Sequence, residues 1–164
     1  MEGHKDRVNG IVFINLTRQL ISGSDDQMMI VWDMNAKRVE NPQWREADKC
    51  EYCSKPFFWN YKLMWETKTV GKRQHHCRRC GAATCDDCSK ARSSLPVLGH
   101  ELQVRICCQC ISKISDDDKA SLATFHDAKQ SITHLNYDEK RKYLITVGAD
   151  KVIKIWDMES VLTI

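Results

Sequence analysis

The sequence predicts a small zinc-stabilised domain flanked by two all-β modules. Two observations support this prediction. All nine cysteines lie between Cys50 and Cys110, and eight of them form four C-x2-C pairs, the spacing of structural zinc sites. A repeat that ends in Trp-Asp brackets this region on both sides, and its short apolar runs have the length and the turn signals of β-strands.

Composition and charge narrow the class of protein. Of the 164 residues, 42% are apolar and 29% are charged, which is typical of folded modules rather than of disordered chain. The net charge is +3, but residues 44–110 hold 12 Lys and Arg against 7 Asp and Glu, so the positive charge sits on the cysteine region. The partner of that region is therefore expected to be anionic.

The sequence contains no segment typical of a membrane anchor or of a secretion signal. No apolar run approaches the ~18 residues that span a bilayer, and the first ten residues, MEGHKDRVNG, are too charged for a signal peptide. Any membrane contact is therefore expected to be peripheral and the compartment cytosolic. In a reducing compartment, nine cysteines favour metal binding over disulfides.

The two flanking modules are copies of one repeat, from Gly3 to Asp33 and from Phe125 to Asp157. Aligned on the closing Trp-Asp, both copies carry an Asp six residues before the Trp, a hydroxyl residue four residues before that Asp, and a His near the start. This pattern resembles the WD-repeat β-propeller blade, in which the four side chains form a hydrogen-bonded network. The resemblance implies two such networks: His4, Ser22, Asp26 and Trp32 in the first copy, and His126, Thr146, Asp150 and Trp156 in the second.

Two blades cannot close a propeller, which typically needs about four to eight. The first copy begins at residue 3, which leaves no room ahead of it for the outer strand of a blade. The chain therefore looks like the C-terminal portion of a longer protein or a shortened form of one. The predicted domains are an incomplete blade at 1–40, a zinc finger at 41–115 and a second blade at 116–164.

The cysteine spacing predicts two metal sites. Tetrahedral structural zinc takes four ligands, and each C-x2-C turn can place two sulfurs on one ion. Only four residues separate the second pair from the third, which is too short for both pairs to reach one ion comfortably. We therefore expect two Zn²⁺ ions in a cross-braced arrangement, with Cys108 left as a free thiol. One site would use Cys50, Cys53, Cys85 and Cys88, and the other Cys77, Cys80, Cys107 and Cys110.

The residues around the cysteines resemble those of a FYVE zinc finger. The segment Lys72–Gly81, KRQHHCRRCG, is similar to the signature R-(R/K)-H-H-C-R-x-C-G, with Gln74 in the place of the second basic residue. The segment Val104–Cys107, VRIC, is similar to the R-V-C motif, and Trp44–Asp48 is similar to W-x-x-D with the Asp one place late. The resemblance implies a fold of short β-hairpins plus a C-terminal helix.

The resemblance also implies a lipid site. FYVE domains bind the phosphate of phosphatidylinositol 3-phosphate with basic side chains, and a neighbouring loop enters the bilayer. The implied headgroup ligands are Arg73, His75, His76, Arg78 and Arg105, with His75 on the sugar ring and the other four on the phosphate.

The membrane-inserting loop would be Thr69–Lys72, with insertion at Val70 and Gly71. Just before it, the aromatic segment Pro56–Trp65 resembles an insertion in one family of such proteins. At this density the aromatic side chains are expected to pack as a small core or against the propeller.

A FYVE finger inserted before the last blade of a WD propeller is the arrangement of the WD-repeat and FYVE-domain-containing protein family. The resemblance implies a phosphatidylinositol 3-phosphate-binding adaptor, peripheral on early endosomes, whose blades serve as a protein-interaction scaffold. Two other classes compete: a RING-type ubiquitin ligase, which leaves the basic His-His-Cys motif unexplained, and a nucleic-acid-binding finger. No nucleophile–base pair, phosphate loop or open metal site is recognisable, so a non-enzyme is expected.

Overall fold

The computed structural model describes residues 1–162 and divides the chain into two compact units. The cysteine unit comprises Arg38–Ala120 together with Met1, and the repeat unit comprises Glu2–Lys37 together with the chain from Ser121 onward. The elements in chain order are β1 (Val8–Ile14), β2 (Gln19–Ser24), β3 (Met28–Asp33), α1 (Tyr61–Thr67), β4 (His75–His76), β5 (Ala83–Thr84), β6 (Arg92–Leu95), β7 (His100–Arg105), α2 (Asp116–Lys119), β8 (Ala123–Asp127), β9 (Ile132–Asp138), β10 (Tyr143–Gly148) and β11 (Ile153–Asp157).

In the repeat unit, antiparallel strands form two sheets, one in the order β1-β2-β3-β8 and the other in the order β9-β10-β11. The strands are rich in the β-branched and large apolar residues that suit a pleated surface. The aspartates shared by the two repeats cap the turns that join the strands: Asp26 Oδ1 accepts the Met28 N–H at 3.0 Å, and Asp150 Oδ1 accepts the Val152 N–H at 3.2 Å. Equivalent positions of the repeat therefore perform the same local task.

The outer strand of the first sheet, β8, follows the cysteine unit along the chain. Strand β8 pairs antiparallel with β3, with Met29 opposite His126 and Trp32 opposite Ala123. This pairing corrects the assignment of residues 123–127 to the second blade. The physical reason is that the free edge of β3 exposes backbone N–H and C=O groups, and β8 satisfies them. The cysteine unit is thus inserted between two neighbouring strands of one sheet.

A shared apolar core joins the two sheets of the repeat unit. Gly23 on β2 allows the close approach, because a Cβ atom there would lie 2.6 Å from Ile132 Cγ2 and 2.8 Å from Leu135 Cδ2. The buried core side chains are Ile14, Ile21, Met29, Val31, Ala128, Ile132, Leu135, Leu144, Met158 and Leu162.

The first repeat contains the predicted hydrogen-bonded network in full. The Trp32 indole N–H donates to Ser22 Oγ at 2.8 Å, and Ser22 Oγ lies 2.7 Å from His4 Nε2. On its other side, His4 Nδ1 donates to Asp26 Oδ2 at 3.1 Å. The network matters for packing because a buried indole N–H or imidazole without a partner destabilises the fold.

The second repeat contains only part of the predicted network. The Trp156 indole N–H donates to Thr146 Oγ1 at 2.9 Å, but the second partner of that hydroxyl is the Gln130 side chain, with Nε2 at 3.5 Å. The prediction that His126 joins this network is wrong. His126 lies on β8 in the first sheet, and within the described residues its buried Nε2 has no hydrogen-bond partner. Burial lowers the pKa of this imidazole, which favours its neutral form.

The cysteine unit contains two short hairpins and a short C-terminal helix, as predicted, and also α1, which the sequence analysis did not predict. Strand β4 pairs with β5, and β6 pairs with β7. Helix α2 begins at a capping box in which Ser115 Oγ accepts the Asp118 N–H and the Asp118 carboxylate accepts the Ser115 N–H. Within residues 1–162, no helix has the length and apolar character needed to cross a bilayer.

The aromatic segment does not form the small core that we expected. Among its aromatic side chains only Phe57 is fully buried, and it packs with Cys50, Ala83 and Cys85. The other aromatic side chains of the segment are more than half exposed: Phe58, Trp59, Tyr61 and Trp65. The unit is too small to offer an apolar interior to five large rings, since two metal sites occupy its centre.

The network of the first repeat predicts the effect of Ser22→Ala. Loss of the hydroxyl leaves the Trp32 N–H and His4 Nε2 without a partner, so we expect a loss of about 1–3 kcal/mol in the free energy of unfolding. Urea denaturation of the whole chain, followed by far-UV circular dichroism, measures this change. The matched control is Thr124→Ala, whose side chain is exposed on β8. Equal destabilisation by the two substitutions would contradict the role of the network.

Candidate functional site

The eight paired cysteines form two clusters in the alternating combination that the spacing predicted. In each cluster the four sulfur atoms lie within 4.8 Å of one another. The second pair lies in the turn of the hairpin β4–β5, and β5 carries the chain from there to the third pair, which belongs to the other cluster. The clusters are Cys50, Cys53, Cys85 and Cys88, and Cys77, Cys80, Cys107 and Cys110.

The geometry of both clusters fits tetrahedral zinc. A Zn–S bond of about 2.3 Å in tetrahedral geometry places the sulfurs about 3.8 Å apart. The Cys53 and Cys85 sulfurs are 3.6 Å apart, and those of Cys80 and Cys107 are 3.9 Å apart. Four thiolates complete the shell of the ion, so each site is structural, with no open position for a substrate. The chain therefore holds two Zn²⁺ ions.

Hydrogen bonds orient the sulfur ligands. The Cys85 N–H donates to Cys50 Sγ and the Cys107 N–H donates to Cys77 Sγ, both at 3.3 Å. The Tyr52 hydroxyl donates to Cys107 Sγ at 3.1 Å, a contact that the sequence did not suggest. Groups of this kind fix the direction of metal ligands and tune their affinity.

In each cluster, the surroundings of one thiol lower its pKa and favour the thiolate form. Burial opposes ionisation of Cys107, but the hydroxyl of Tyr52 and the backbone N–H of Cys110 outweigh it and lower the pKa of the thiol to about 7. Burial likewise opposes ionisation of Cys50, and the backbone N–H groups of Cys53 and Cys85 lower its pKa to about 7. The thiolate is the form that binds zinc, so these environments assist metal uptake at neutral pH.

A cavity of about 200 Å³ lies beside the second cluster, and four of the five predicted headgroup ligands line it. His75 and His76 reach it from β4, Arg105 from the end of β7, and Arg78 from the turn after Cys77. The Arg78 N–H donates to the Arg105 carbonyl at 3.0 Å, which joins the two segments. The cavity thus gathers two guanidinium and two imidazole groups on one small surface.

An aromatic side chain that was not predicted as a ligand forms one wall of the cavity. The Trp44 ring stacks on the His76 ring, with centroids 4.8 Å apart and planes 8° apart. The Arg78 guanidinium lies over the Trp44 ring, 4.7 Å from its centroid. His76 Nε2 lies 3.2 Å from the Arg45 carbonyl oxygen. Trp44 therefore contacts one imidazole and one guanidinium of the cavity wall.

Hydrogen bonds hold the Arg105 side chain in place in the cavity wall. Arg105 Nη1 donates to Asp86 Oδ1 at 2.7 Å and to the Ser89 carbonyl at 3.0 Å. The hydrogen bond from Arg105 lowers the pKa of Asp86, which stays ionised. Burial and the charge of Arg105 lower the pKa of His75, which favours its neutral form while the cavity holds no anion.

Three of the predicted site residues, Arg73, Val70 and Gly71, lie outside the cavity wall. Arg73 is exposed at its rim, close enough for its charge to contribute to the lowered pKa of His75. In the predicted insertion loop, Val70 is 80% exposed, but Gly71 is buried. A Cβ atom at Gly71 would lie 2.7 Å from Met64 Sδ, so this glycine is needed for packing under the loop. The prediction that both residues insert is corrected: only Val70 is available.

Sequence reasoning missed several residues that shape the site. Trp44 stood in a recognised motif, but nothing in the pattern indicated that its ring would stack on a histidine. Gln74 lines the cavity, and its Nε2 lies 3.5 Å from His76 Nε2. Asp48, the acidic residue of the W-x-x-D-like motif, is exposed and does not line this cavity.

The comparisons with known proteins agree with this architecture. A family model described as FYVE zinc finger matches residues 42–116, and one described as WD domain, G-beta repeat, matches residues 1–33 and 119–157. WD repeat and FYVE domain-containing protein 1 of Mus musculus is 52% identical over 162 residues, 99% of this chain and 40% of the mouse protein. The chain belongs to the WD-repeat and FYVE-domain-containing protein family. It spans about half of these relatives or less: 40% of the mouse protein and 51% of protein 2 of Homo sapiens, to which it is 48% identical over 204 residues.

Two solved FYVE structures are also similar to parts of the chain. The crystal structure of the VHS and FYVE tandem domains of Hrs matches with 30% identity and a TM-score of 0.37, covering 45% of this chain and 29% of that one. The solution structure of the LM5-1 FYVE domain of Leishmania major matches with 29% identity and a TM-score of 0.34, covering 49% and 82%.

The two clusters predict different effects for two neighbouring cysteines. Cys110→Ser removes a ligand of the second cluster, so zinc content should fall from two ions per chain to one. Cys108→Ser is the matched control, because Cys108 is exposed and belongs to neither cluster, and it should retain two. Elemental analysis of the purified chains measures the content. One zinc in the Cys108→Ser chain would show that the clusters are assigned wrongly.

Proposed function

We propose that the FYVE finger of this chain binds phosphatidylinositol 3-phosphate in the cytosolic leaflet of early endosomal membranes. The observation that carries the proposal is the cavity beside the second zinc site, where Arg78, Arg105, His75 and His76 converge. Guanidinium groups match the geometry of phosphate oxygens and remain charged at every physiological pH. Imidazole N–H groups can donate to a phosphate or to a ring hydroxyl.

The hydrogen bonds already made in the cavity support an anionic ligand. All three hydrogen bonds that the Arg105 side chain makes within the described residues use Nη1, which leaves Nε and Nη2 for a ligand. Two carboxylates neutralise only part of the local charge: Asp86, which pairs with Arg105, and Glu46, whose Oε2 accepts the Gln74 Nε2–H at 3.3 Å, stand against the two arginines of the cavity wall and Arg73 at the rim. An anion would balance the remaining charge, and binding would raise the pKa of His75 toward its protonated form.

The proposal for the repeat unit is that it contributes to a protein-binding surface. The repeat unit holds two sheets of a propeller that a longer chain would complete. We infer a non-catalytic adaptor, in which the finger selects the membrane and the propeller presents a surface to protein partners. The completed thiolate shells of both zinc sites agree with a structural role for the metal.

The headgroup proposal predicts different results for two adjacent arginines. Arg78→Ala removes a charged donor from the cavity, worth about 1.5–3 kcal/mol, so affinity for vesicles containing phosphatidylinositol 3-phosphate should fall roughly tenfold to a hundredfold. The matched control is Arg79→Ala, because Arg79 donates instead to the Cys110 carbonyl and to Asp118, outside the cavity.

Vesicle co-sedimentation across all phosphoinositides measures both affinity and selectivity. The proposal requires a preference of the unmodified chain for the 3-phosphate lipid, and a larger loss for Arg78→Ala than for Arg79→Ala. Equal losses would assign the effect to general charge, and tighter binding to RNA or DNA than to any vesicle would favour a nucleic-acid-binding finger.

The exposed loop tip predicts a separation between membrane affinity and headgroup affinity. Val70→Glu should weaken vesicle binding, because it removes ~1–2 kcal/mol of apolar burial and adds a charge that the bilayer repels. Binding of soluble inositol 1,3-bisphosphate should remain unchanged. Val39→Glu, at another exposed valine of the same unit, is the control. A parallel loss in both assays would mean that the loop belongs to the cavity.

A further inference from the structure

The cysteine unit displays an unusual concentration of exposed aromatic rings. We call residues 57–72, which comprise α1 and its two flanking segments, the aromatic lobe. On α1, Tyr61 is 76% exposed and Trp65 is 88% exposed. These residues are four apart and therefore lie on the same face of the helix. Phe58 and Trp59, just before the helix, are each more than half exposed.

The aromatic lobe is held in place by specific contacts. The Asn60 side chain caps α1 by accepting the Leu63 N–H at 3.1 Å. The Phe58 N–H donates to the Lys72 carbonyl at 3.0 Å, and the Gly71 N–H donates to Met64 Sδ at 3.0 Å. The exposed rings are thus presented on an ordered support whose base is the same loop that carries Val70.

The aromatic lobe also contacts the cavity through one side chain. The Trp59 indole N–H donates to Gln74 Oε1 at 3.1 Å, and Gln74 lines the cavity beside His76. A ligand in the cavity and a surface against the aromatic lobe would therefore lie next to each other. Trp59 and Gln74 form the connection.

The chemistry of the aromatic lobe favours a lipid surface as the occupant. Tryptophan and tyrosine concentrate at the boundary between lipid tails and water, because each has an apolar ring and a polar N–H or O–H group. The lobe contains Lys62, Lys68 and Lys72 against the single acidic residue Glu66. Lysines beside inserted apolar residues add attraction to anionic lipids.

We propose that α1 and the aromatic residues before it insert into the interfacial region of the bilayer, as a second membrane contact beside Val70. The occupant of the exposed face is then the lipid surface itself rather than another protein. This inference rests on the proposed function, because the finger must first bind a membrane lipid. It assigns to Tyr61 and Trp65 part of the membrane affinity that a headgroup cavity alone would not supply.

The test uses the zinc-loaded whole chain with the double substitution Tyr61→Ala and Trp65→Ala. Vesicles of phosphatidylcholine and phosphatidylserine, with and without phosphatidylinositol 3-phosphate, are the probes. Vesicle affinity should fall at least roughly tenfold, because the two aromatic side chains bury ~150–250 Å² each when fully covered, at ~25 cal/mol per Å². Affinity for soluble inositol 1,3-bisphosphate should stay unchanged.

The matched control removes exposed apolar surface from the other unit. The double substitution Ile153→Ala and Ile155→Ala changes two residues of β11 that are each 66% exposed. It should leave vesicle affinity unchanged. Zinc content and circular dichroism equal to those of the unmodified chain establish that each variant is folded.

A second measurement locates the aromatic rings directly. Lipids with brominated acyl chains should quench part of the tryptophan fluorescence of the vesicle-bound chain, and Trp65→Phe should remove part of the quenched signal. If the Tyr61/Trp65 variant binds vesicles as tightly as the unmodified chain and no fluorescence is quenched, the membrane contact is refuted and a protein partner becomes the occupant. If the unmodified chain shows no preference for the 3-phosphate lipid, the proposed function fails instead, and a weakened variant on phosphatidylserine vesicles would still support the aromatic contact.

Discussion

Coordination of zinc by the second cysteine cluster is the constraint on which the candidate site depends. Every side chain in the cavity wall except Trp44 lies within three residues of one of its ligands: Gln74, His75, His76 and Arg78 near Cys77, and Arg105 near Cys107. The ion holds together segments that are distant in sequence, and the hydrogen bond from the Arg78 N–H to the Arg105 carbonyl adds to that contact. In so small a domain the free energy of metal binding is also the free energy of folding.

Cross-bracing extends that dependence to the aromatic lobe. The aromatic lobe lies between Cys53 of the first cluster and Cys77 of the second, so its two ends are fixed by different ions. Four aromatic rings of the lobe are exposed on the surface of the unit, and Phe57 is the one aromatic ring of the lobe that is buried. The arrangement places apolar surface, lysines and a cationic cavity on one small unit.

Much of this architecture follows from local sequence rules. The spacing of the cysteines and the ligand number of zinc were enough to predict both clusters, and the resemblance of the Trp-Asp repeat to a WD-repeat blade implied the network around Ser22. The predictions that were wrong concern which strands and side chains meet in the folded chain. Strand β8 completes the first sheet because β3 has a free edge, and Gln130 occupies the position expected for His126 because that histidine lies on the neighbouring sheet. A local sequence pattern does not predict which sheet edge a strand will join. Nor does it predict that the Trp44 ring will stack on the His76 ring.

The insertion of the cysteine unit between β3 and β8 has a consequence for the order of folding. Topologically, residues 34–122 are the connecting loop of a β-hairpin, since β3 and β8 are antiparallel neighbours and the Asp33 N–H donates to the Leu122 carbonyl at 3.0 Å. The entropic cost of closing a flexible loop rises only slowly with its length, so the sheet tolerates this long inserted segment. Once zinc compacts the insert, most of the loop is already ordered, and metal supply then influences how readily the first blade gains its outer strand.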